Sequence, residues 1–139
     1  MKNIQSAERV SQSDASDNYV FQRSLLAYEK AAEIVSGDVL EIGTGSGYGV
    51  ALIAPHADRF LTVNKTVPPP GIVPEGGNVE FRRMTIPPLK GLPSGCMDYV
   101  ICFQVIEHIR DDFGPIAEIQ RVLKPNGQLL IPTPHQAIT

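Results

Sequence analysis

The sequence has few of the features that mark secreted, membrane-bound or nucleic-acid-binding proteins. Its two cysteines, Cys96 and Cys102, are too few and too close together for a disulfide framework. No apolar run approaches the length of a membrane span, and residues 1–17 lack the apolar segment of a signal peptide. Basic residues are not in surplus, because the net charge is -3, which disfavours nucleic acid and anionic membranes as partners. A reducing, cytoplasmic setting is therefore expected.

The length of 139 residues fits one domain with a core of modest size. Residues 1–37 are predicted to form a polar arm and a helix, because apolar side chains recur every three or four positions before Gly37. This segment is expected either to pack on the core or to cover a ligand as a lid. Residues 38–139 are predicted to form the core itself.

Short apolar segments alternate with helical patterns and long loops, which predicts an α/β fold. Helices are predicted at 48–54 and 111–124, whereas the segments 66–77 and 87–95, which are rich in proline and glycine, are predicted to be loops. Residues 125–127, Pro-Asn-Gly, are predicted to form a turn. The expected architecture is Rossmann-like: a doubly wound, mostly parallel five-stranded sheet with helices on both faces. Ligands of such sheets bind beyond the carboxyl ends of the strands. The predicted strands are 39–42, 60–63, 79–82, 99–103 and 128–131.

The end of the first strand carries the most informative motif. Glu41 is followed by glycines at three alternate positions, Gly43, Gly45 and Gly47, and then by a helical pattern. Glycines allow positive φ angles and a close approach of backbone to ligand, and a helix start offers unpaired N–H groups. The dinucleotide fingerprint G-x-G-x-x-G fails from either starting glycine, and no Gly-Lys-Ser/Thr of a P-loop follows. The loop is interpreted as a ligand site, with a purely structural turn as the alternative.

Three segments, in order, resemble the class I methyltransferases of the small-molecule type that use S-adenosylmethionine (SAM). Residues 41–47 resemble their E/D-x-G-x-G-x-G signature, 97–109 their fourth-strand block and 118–129 the block before their fifth strand. The resemblance covers roughly residues 38–134. It implies an enzyme that binds SAM, transfers a methyl group to a small-molecule acceptor and leaves S-adenosylhomocysteine (SAH).

Two other functions are alternatives to this one. A methyltransferase-like domain that binds a ligand or a partner chain without catalysis is the main alternative. An NAD-type dehydrogenase is disfavoured, because both its fingerprint glycine and an acid after the second strand are missing.

The resemblance also implies which residues hold the cofactor. Glu41 would serve the methionyl ammonium group, directly or through water. Phe103 and Gln104 would supply backbone and side-chain contacts beside the methionine. The glycine loop would line the methionine and ribose, and its residues are Gly43, Thr44, Gly45 and Gly47.

The sequence departs from the family pattern after the second and third strands. Asn64 stands where an acid usually takes both ribose hydroxyls, and its neutral amide oxygen is a weaker acceptor than a carboxylate. After the third strand, Met84 is expected to pack on the adenine and Thr85 to bond one of its edges, unless both simply end the strand. The segment 66–77 replaces a helix, so either apolar surface or a loop laid across the gap is expected.

Further predictions concern the fifth strand, His108 and metal binding. The family's last two strands are missing, so the fifth strand is expected to be a sheet edge, with either a homodimer through that edge or a truncated reading frame. His108 is the candidate general base, with a structural hydrogen bond as the alternative. The sequence contains no HExxH motif, and its cysteines and histidines are not spaced as metal ligands, so no bound metal is expected.

Overall fold

The computed structural model describes residues 15–103 and 113–131, with side chains described for 24–103 and 114–131. Within these ranges the chain forms three α-helices and five β-strands. The helices are α1 (Ala15–Ile34), α2 (Tyr48–Ile53) and α3 (Phe113–Val122). The strands are β1 (Asp38–Ile42), β2 (Arg59–Asn64), β3 (Val79–Arg83), β4 (Met97–Ile101) and β5 (Leu123–Leu130).

The five strands form one parallel sheet in the order β3-β2-β1-β4-β5. Successive residues of β1, such as Val39 and Leu40, are fully buried on opposite faces, which is why this strand is apolar without interruption. The strand order reverses between β1 and β4, so the switch point of the sheet lies at their carboxyl ends. The predicted Rossmann-like, doubly wound architecture is confirmed.

Two layers of apolar side chains form the core, one on each face of the sheet. The helices α1 and α2 cover one face, and α3 together with the loop before β4 covers the other. On the first face the buried residues include Tyr28, Ala31, Val35, Val50, Ile53, Phe60 and Ile101. On the second face they include Leu40, Ile42, Leu61, Val63, Leu89, Leu92, Val100 and Ile119.

The loop at 87–95 takes the place of a crossover helix, and α3 holds it against the sheet. Arg121 donates hydrogen bonds to the carbonyl oxygens of Leu92 at 2.8 Å and Leu89 at 3.2 Å. Glu118 accepts the N–H of Leu89 at 2.8 Å. These bonds satisfy the loop backbone and allow both leucine side chains to be buried in the core.

The boundaries of α3, β4 and β5 differ from the sequence prediction by two residues or more, and those of the other strands and α2 by one. α3 ends at Val122 rather than at residue 124, because Leu123 already pairs with Met97 of β4. The predicted turn at 125–127 lies inside β5, where it shifts the register of pairing with β4. β4 ends at Ile101, where its ladder with β1 ends opposite Glu41, and not at residue 103.

No helix within the described ranges combines the length and the apolar character that crossing a membrane requires.

Candidate functional site

The glycine loop lies at the switch point of the sheet, as predicted. Gly43, Gly45 and Gly47 have φ angles of 93°, 57° and 85°, a region that glycine adopts far more readily than other residues. Gly43 donates its N–H to the carbonyl of Val63 at 2.8 Å, which anchors the loop on the end of β2. The sequence therefore predicted correctly that a turn with positive φ angles at its glycines follows β1.

The crossover from β2 to β3 lies against this loop. Residues 66–77 contain no helix, as predicted, and the half-buried side chain of Ile72 contacts Gly47. A Cβ atom at Gly47 would overlap Cγ2 of Ile72, so glycine is required there for space as well as for its φ angle. Ile72 of this segment packs on the glycine loop, whereas Val67 is 67% exposed, so features of both outcomes expected for the missing helix are observed.

Glu41 lies beneath the loop and has a relative exposure of 0%. Tyr28 of α1 donates its hydroxyl to Oε2 of Glu41, and Thr62 of β2 donates to Oε1 at 2.6 Å. The hydroxyls of Thr62 and Thr44 are 2.7 Å apart. Because Thr62 has one hydroxyl proton and gives it to Glu41, Thr44 must be the donor in this second bond. All three hydroxyl protons therefore point towards the carboxylate.

The ionisation of Glu41 is set by its burial. Burial raises the pKa of Glu41 from its ordinary value of 4.5 to about 7, and the hydrogen bonds from Thr62 and Tyr28 limit the rise. The carboxyl group therefore changes charge near neutral pH. Since the group is enclosed by the protein's own hydroxyls, its predicted contact with the methionyl ammonium stays a prediction.

Tyr28 reaches Glu41 across the first turn of α2. Its ring packs edge to face on Tyr48 and Phe103, with centroid separations of 5.6 Å and 4.9 Å. Gly49 makes room for the ring, because a Cβ atom at that position would overlap it. The ring is thus held by α2 and by Phe103, the second residue after β4.

Asn64 ends β2 and offers a hydrogen-bond acceptor. Its Nδ2 donates to the carbonyl oxygen and to the hydroxyl of Thr66, both at 3.0 Å. A carbonyl can only accept, so the amide nitrogen must face Thr66, which turns Oδ1 the other way. The side chain therefore has an acceptor of the kind that a ribose hydroxyl needs, and this role of Asn64 stays a prediction.

The other predicted site residues are distributed more widely. Met84 is half-buried against the core of the second sheet face, and its N–H donates to the carbonyl of Asn64 at 2.9 Å. Thr85 is exposed. Their contacts with adenine stay predictions, as does the strand-ending alternative. Gln104 and His108 lie outside the described residues.

Two partners of Glu41 were not identified from the sequence pattern. Thr62 is the register partner of Glu41 in the ladder of β1 and β2, and it is the polar residue in an otherwise apolar segment, 60–63. That interruption is a signal that could have found it. Tyr28 lies 13 positions before Glu41 on a separate helix, and no local pattern predicts their contact.

A separate cavity of about 330 Å³ lies near the amino ends of the strands, at the opposite end of the sheet from the glycine loop. Two arginines on its wall already have carboxylate partners: Arg59 binds Asp38 at 3.1 Å, and Arg82 binds Glu80 at 2.7 Å. The cavity does not lie at the switch point of the sheet, where ligands of such folds bind, so the glycine loop is the candidate site. In the part of the chain that the structure describes, no group of three or more His, Cys, Asp or Glu could hold a metal ion.

Comparison with known proteins identifies the family. A family model described as a methyltransferase domain matches residues 40–131. A probable S-adenosylmethionine-dependent methyltransferase from Mycolicibacterium smegmatis is 37% identical over 124 residues, which are 88% of this chain and 48% of the relative. A ubiquinone biosynthesis O-methyltransferase from Pseudomonas aeruginosa is 26% identical over 121 residues, which are 84% of this chain and 49% of the relative.

Solved structures agree on the fold. The complex of DhpI with SAH superposes with a TM-score of 0.64 at 23% identity, over 94% of this chain and 67% of that protein. The chain spans about half the length of the curated relatives it matches. The family match includes the glycine loop and Asn64. The chain therefore belongs to the methyltransferase domain family, as a member of the class I SAM-dependent methyltransferases.

Proposed function

We propose that this chain is the cofactor-binding core of a methyltransferase that transfers a methyl group from SAM to a small-molecule acceptor and leaves SAH. The observation that carries this proposal is the glycine loop at the switch point, whose Gly43, Gly45 and Gly47 all have positive φ angles directly after the buried Glu41. The family match over residues 40–131 supports it.

The residues around the loop fit the chemical groups of SAM. The bare backbone of the loop admits a close approach, and Oδ1 of Asn64 is an acceptor suited to a ribose hydroxyl. Above neutral pH, ionised Glu41 supplies negative charge behind the loop, which favours a cofactor with a positive sulfonium. When bound, SAM supplies the activated methyl group, so the main task of the protein is to position the two reactants.

We propose that residues 38–139 bind the cofactor and that residues 1–37 serve as a packing element or as a lid over the ligand. The contact of Tyr28 with Glu41 supports this assignment for α1. The roles implied by the family resemblance are proposed without change for the remaining site residues, which are Thr44, Met84, Thr85, Phe103, Gln104 and, as general base, His108.

The acceptor is proposed to be a small molecule rather than a nucleic acid. The net charge of -3 supports this choice, and the relative from Pseudomonas aeruginosa is named for an O-methylation in ubiquinone biosynthesis. A reducing, cytoplasmic setting is proposed because Cys96 and Cys102 are not joined in a disulfide.

A homodimer through β5 is proposed as the state in solution. Among the described strands, β5 pairs with β4 alone, and Ile131 just after it is exposed. An unpaired strand edge with apolar side chains favours pairing with a second copy. Sedimentation velocity across a dilution series should show a dimer that dissociates, and a monomer at every concentration would contradict the proposal.

Calorimetric titration with SAM and SAH tests the proposed function. We expect micromolar binding of at least one of the two, and its loss in Gly45→Val. Gly95→Val is the matched control. Gly95 also has a positive φ angle, 64°, but it lies before β4, at the amino ends of the strands and away from the glycine loop. Circular dichroism checks that both variants fold. If Gly45→Val folds and binds as tightly as the wild type, the ligand site is elsewhere.

A domain that binds a ligand or a partner chain without catalysis is the second candidate. The observations that favour it are the enclosure of Glu41 by hydroxyls and the contact of Ile72 with Gly47, which narrow the space at the loop. The same titration separates the two, because no binding at millimolar SAM or SAH would favour this candidate.

A further inference from the structure

The Glu41 carboxyl group joins three elements of the fold within the interior. It belongs to β1, receives one hydroxyl from Thr62 of β2 and receives the other from Tyr28 of α1. Thr62 continues the connection to Thr44, which lies between the first two glycines of the loop. A single chain of hydrogen bonds therefore leads from α1 to the glycine loop.

We propose that Tyr28 is a positioning residue for the glycine loop: its hydroxyl holds Glu41 in the geometry that orients Thr62 and Thr44, so that cofactor binding depends on it. This inference rests on the proposed function, because it concerns the same loop. Tyr28 itself is not proposed to touch the cofactor.

Removing the Tyr28 hydroxyl leaves one oxygen of a fully buried carboxyl group without its donor. A buried carboxylate that loses a hydrogen bond is expected either to take up a proton or to change its geometry, because bulk solvent does not reach it at 0% exposure. If Glu41 takes up a proton, it can donate to Thr62, which reverses the bond between them. Thr62 can then donate to Thr44, so that the hydroxyl proton of Thr44 no longer points towards Thr62. Either response alters the loop through Thr44.

The ring of Tyr28 has little freedom to move away from Glu41. Tyr48 and Phe103 pack against its faces and edges, and Gly49 allows it to lie directly on α2. A close-packed ring fixes the position of its hydroxyl to within the range that one rotamer allows. The site for Tyr28 is therefore shaped for positioning and not only for burial.

The groups that face Glu41 in the described residues are hydroxyls rather than charges. α1 presents Tyr28 and β2 presents Thr62, while the residue of β4 opposite Glu41 is Ile101. The sequence of α2 contains no ionisable side chain except Tyr48. Loss of the Tyr28 donor should therefore raise the pKa of Glu41 further, since no charged side chain in the described part of the chain faces Glu41 to offset the change.

The test measures the affinity of the whole chain for SAH across a range of pH in the wild type, Tyr28→Phe and Glu41→Gln. We expect wild-type affinity to rise with a midpoint near the pKa of Glu41. Tyr28→Phe should bind about tenfold more weakly at neutral pH, with its midpoint at higher pH. Glu41→Gln should show no such midpoint. Tyr99→Phe is the control, because it removes the hydroxyl of a β4 tyrosine that is not a donor to Glu41.

A second pair of variants tests the same chain of bonds without changing α1. Thr62→Ser keeps the hydroxyl and should bind SAH like the wild type. Thr62→Val keeps the volume but loses the hydroxyl, and should resemble Tyr28→Phe.

The outcomes separate this inference from the proposed function. If SAH does not bind the wild type, the proposed function is wrong. If SAH binds, but Tyr28→Phe keeps the wild-type affinity and midpoint, Tyr28 serves packing alone and the positioning role is wrong. If Tyr28→Phe does not fold, equal affinity of Thr62→Ser and Thr62→Val would overturn the inference instead.

Discussion

Thr62 of β2 lies opposite Glu41 of β1 in the parallel ladder, and its hydroxyl donates to Oε1 of Glu41 at 2.6 Å. This bond holds an ionisable group inside the protein, directly beneath the glycine loop. Desolvation, and not a charged neighbour, is the largest cause of its raised pKa. The charge at the centre of the candidate site therefore changes within the physiological range of pH.

Replacing Glu41 by Gln should change how stability depends on pH. The folded pKa of about 7 lies above the ordinary value of 4.5, so between these values the folded state retains a proton that the unfolded state has released. The stabilisation is complete below the unfolded pKa and is lost as pH rises through the folded one, in total about 3 kcal/mol. Glutamine stays neutral throughout.

Urea unfolding measures this difference. The free energy of unfolding of the wild type, minus that of Glu41→Gln, should fall by about 3 kcal/mol from about pH 4.5 to pH 8. Parallel curves for the two proteins would show that the pKa of Glu41 is the same in the folded and unfolded states, so that burial does not raise it.

The affinities for SAM and SAH should respond differently to pH. SAM carries a positive sulfonium that SAH lacks, and an ionised Glu41 behind the loop attracts it. The preference for SAM over SAH should therefore increase about fivefold as pH rises through about 7, and should stay constant in Glu41→Gln. Calorimetry in buffers of different ionisation enthalpy should also detect partial proton release on SAM binding. Identical pH profiles for both ligands would contradict this placement of the carboxyl group.

Replacing Asn64 by Asp should not improve the site, although the family usually has an acid there. The carboxylate would turn an oxygen towards the carbonyl oxygen of Thr66, which now accepts a hydrogen bond at 3.0 Å. The repulsion between these oxygens should lower stability by about 1–2 kcal/mol and cancel any gain from a charged acceptor. Urea unfolding and SAH titration of Asn64→Asp measure both effects. Tenfold tighter SAH binding at unchanged stability would show that the Thr66 contact does not constrain this residue.

Leu89 should matter as much to stability as a leucine in a central strand, although it lies in a loop. Its side chain is 1% exposed within the core of the second sheet face. Leu89→Ala should therefore cost about 3 kcal/mol of unfolding free energy. Leu26→Ala on α1 is the control, because Leu26 is 45% exposed and should cost less than about 0.5 kcal/mol. Similar costs for both would mean that the loop is not part of the core.

The sequence predicted the sheet well because strand signals are local. Apolar runs, flanking glycines and prolines located all five strands, and the motif after β1 located the switch point. The segment 125–127 was predicted as a turn because Pro, Asn and Gly favour turns, but pairing with β4 continues on both sides of it. Local propensity therefore predicted the irregularity in β5 but not the pairing with β4 that continues on both sides of it.

The contacts within the site were harder to predict because they join distant elements. Tyr28 contacts Glu41 only when α1 docks across α2, which depends on the missing side chain of Gly49. Leu89 and Leu92 of the loop at 87–95 are buried in the core, and Arg121 on α3 binds the carbonyls of both. Neither contact follows from spacing along the chain, since each requires the completed packing of the core.

The most direct test of the central claim is a crystal structure of the chain with SAH bound. We predict that SAH lies along Gly43–Gly47, with a ribose hydroxyl within hydrogen-bond distance of Oδ1 of Asn64. SAH bound elsewhere, such as in the cavity beside Arg59 at the amino ends of the strands, would contradict the assignment of the glycine loop as the cofactor site.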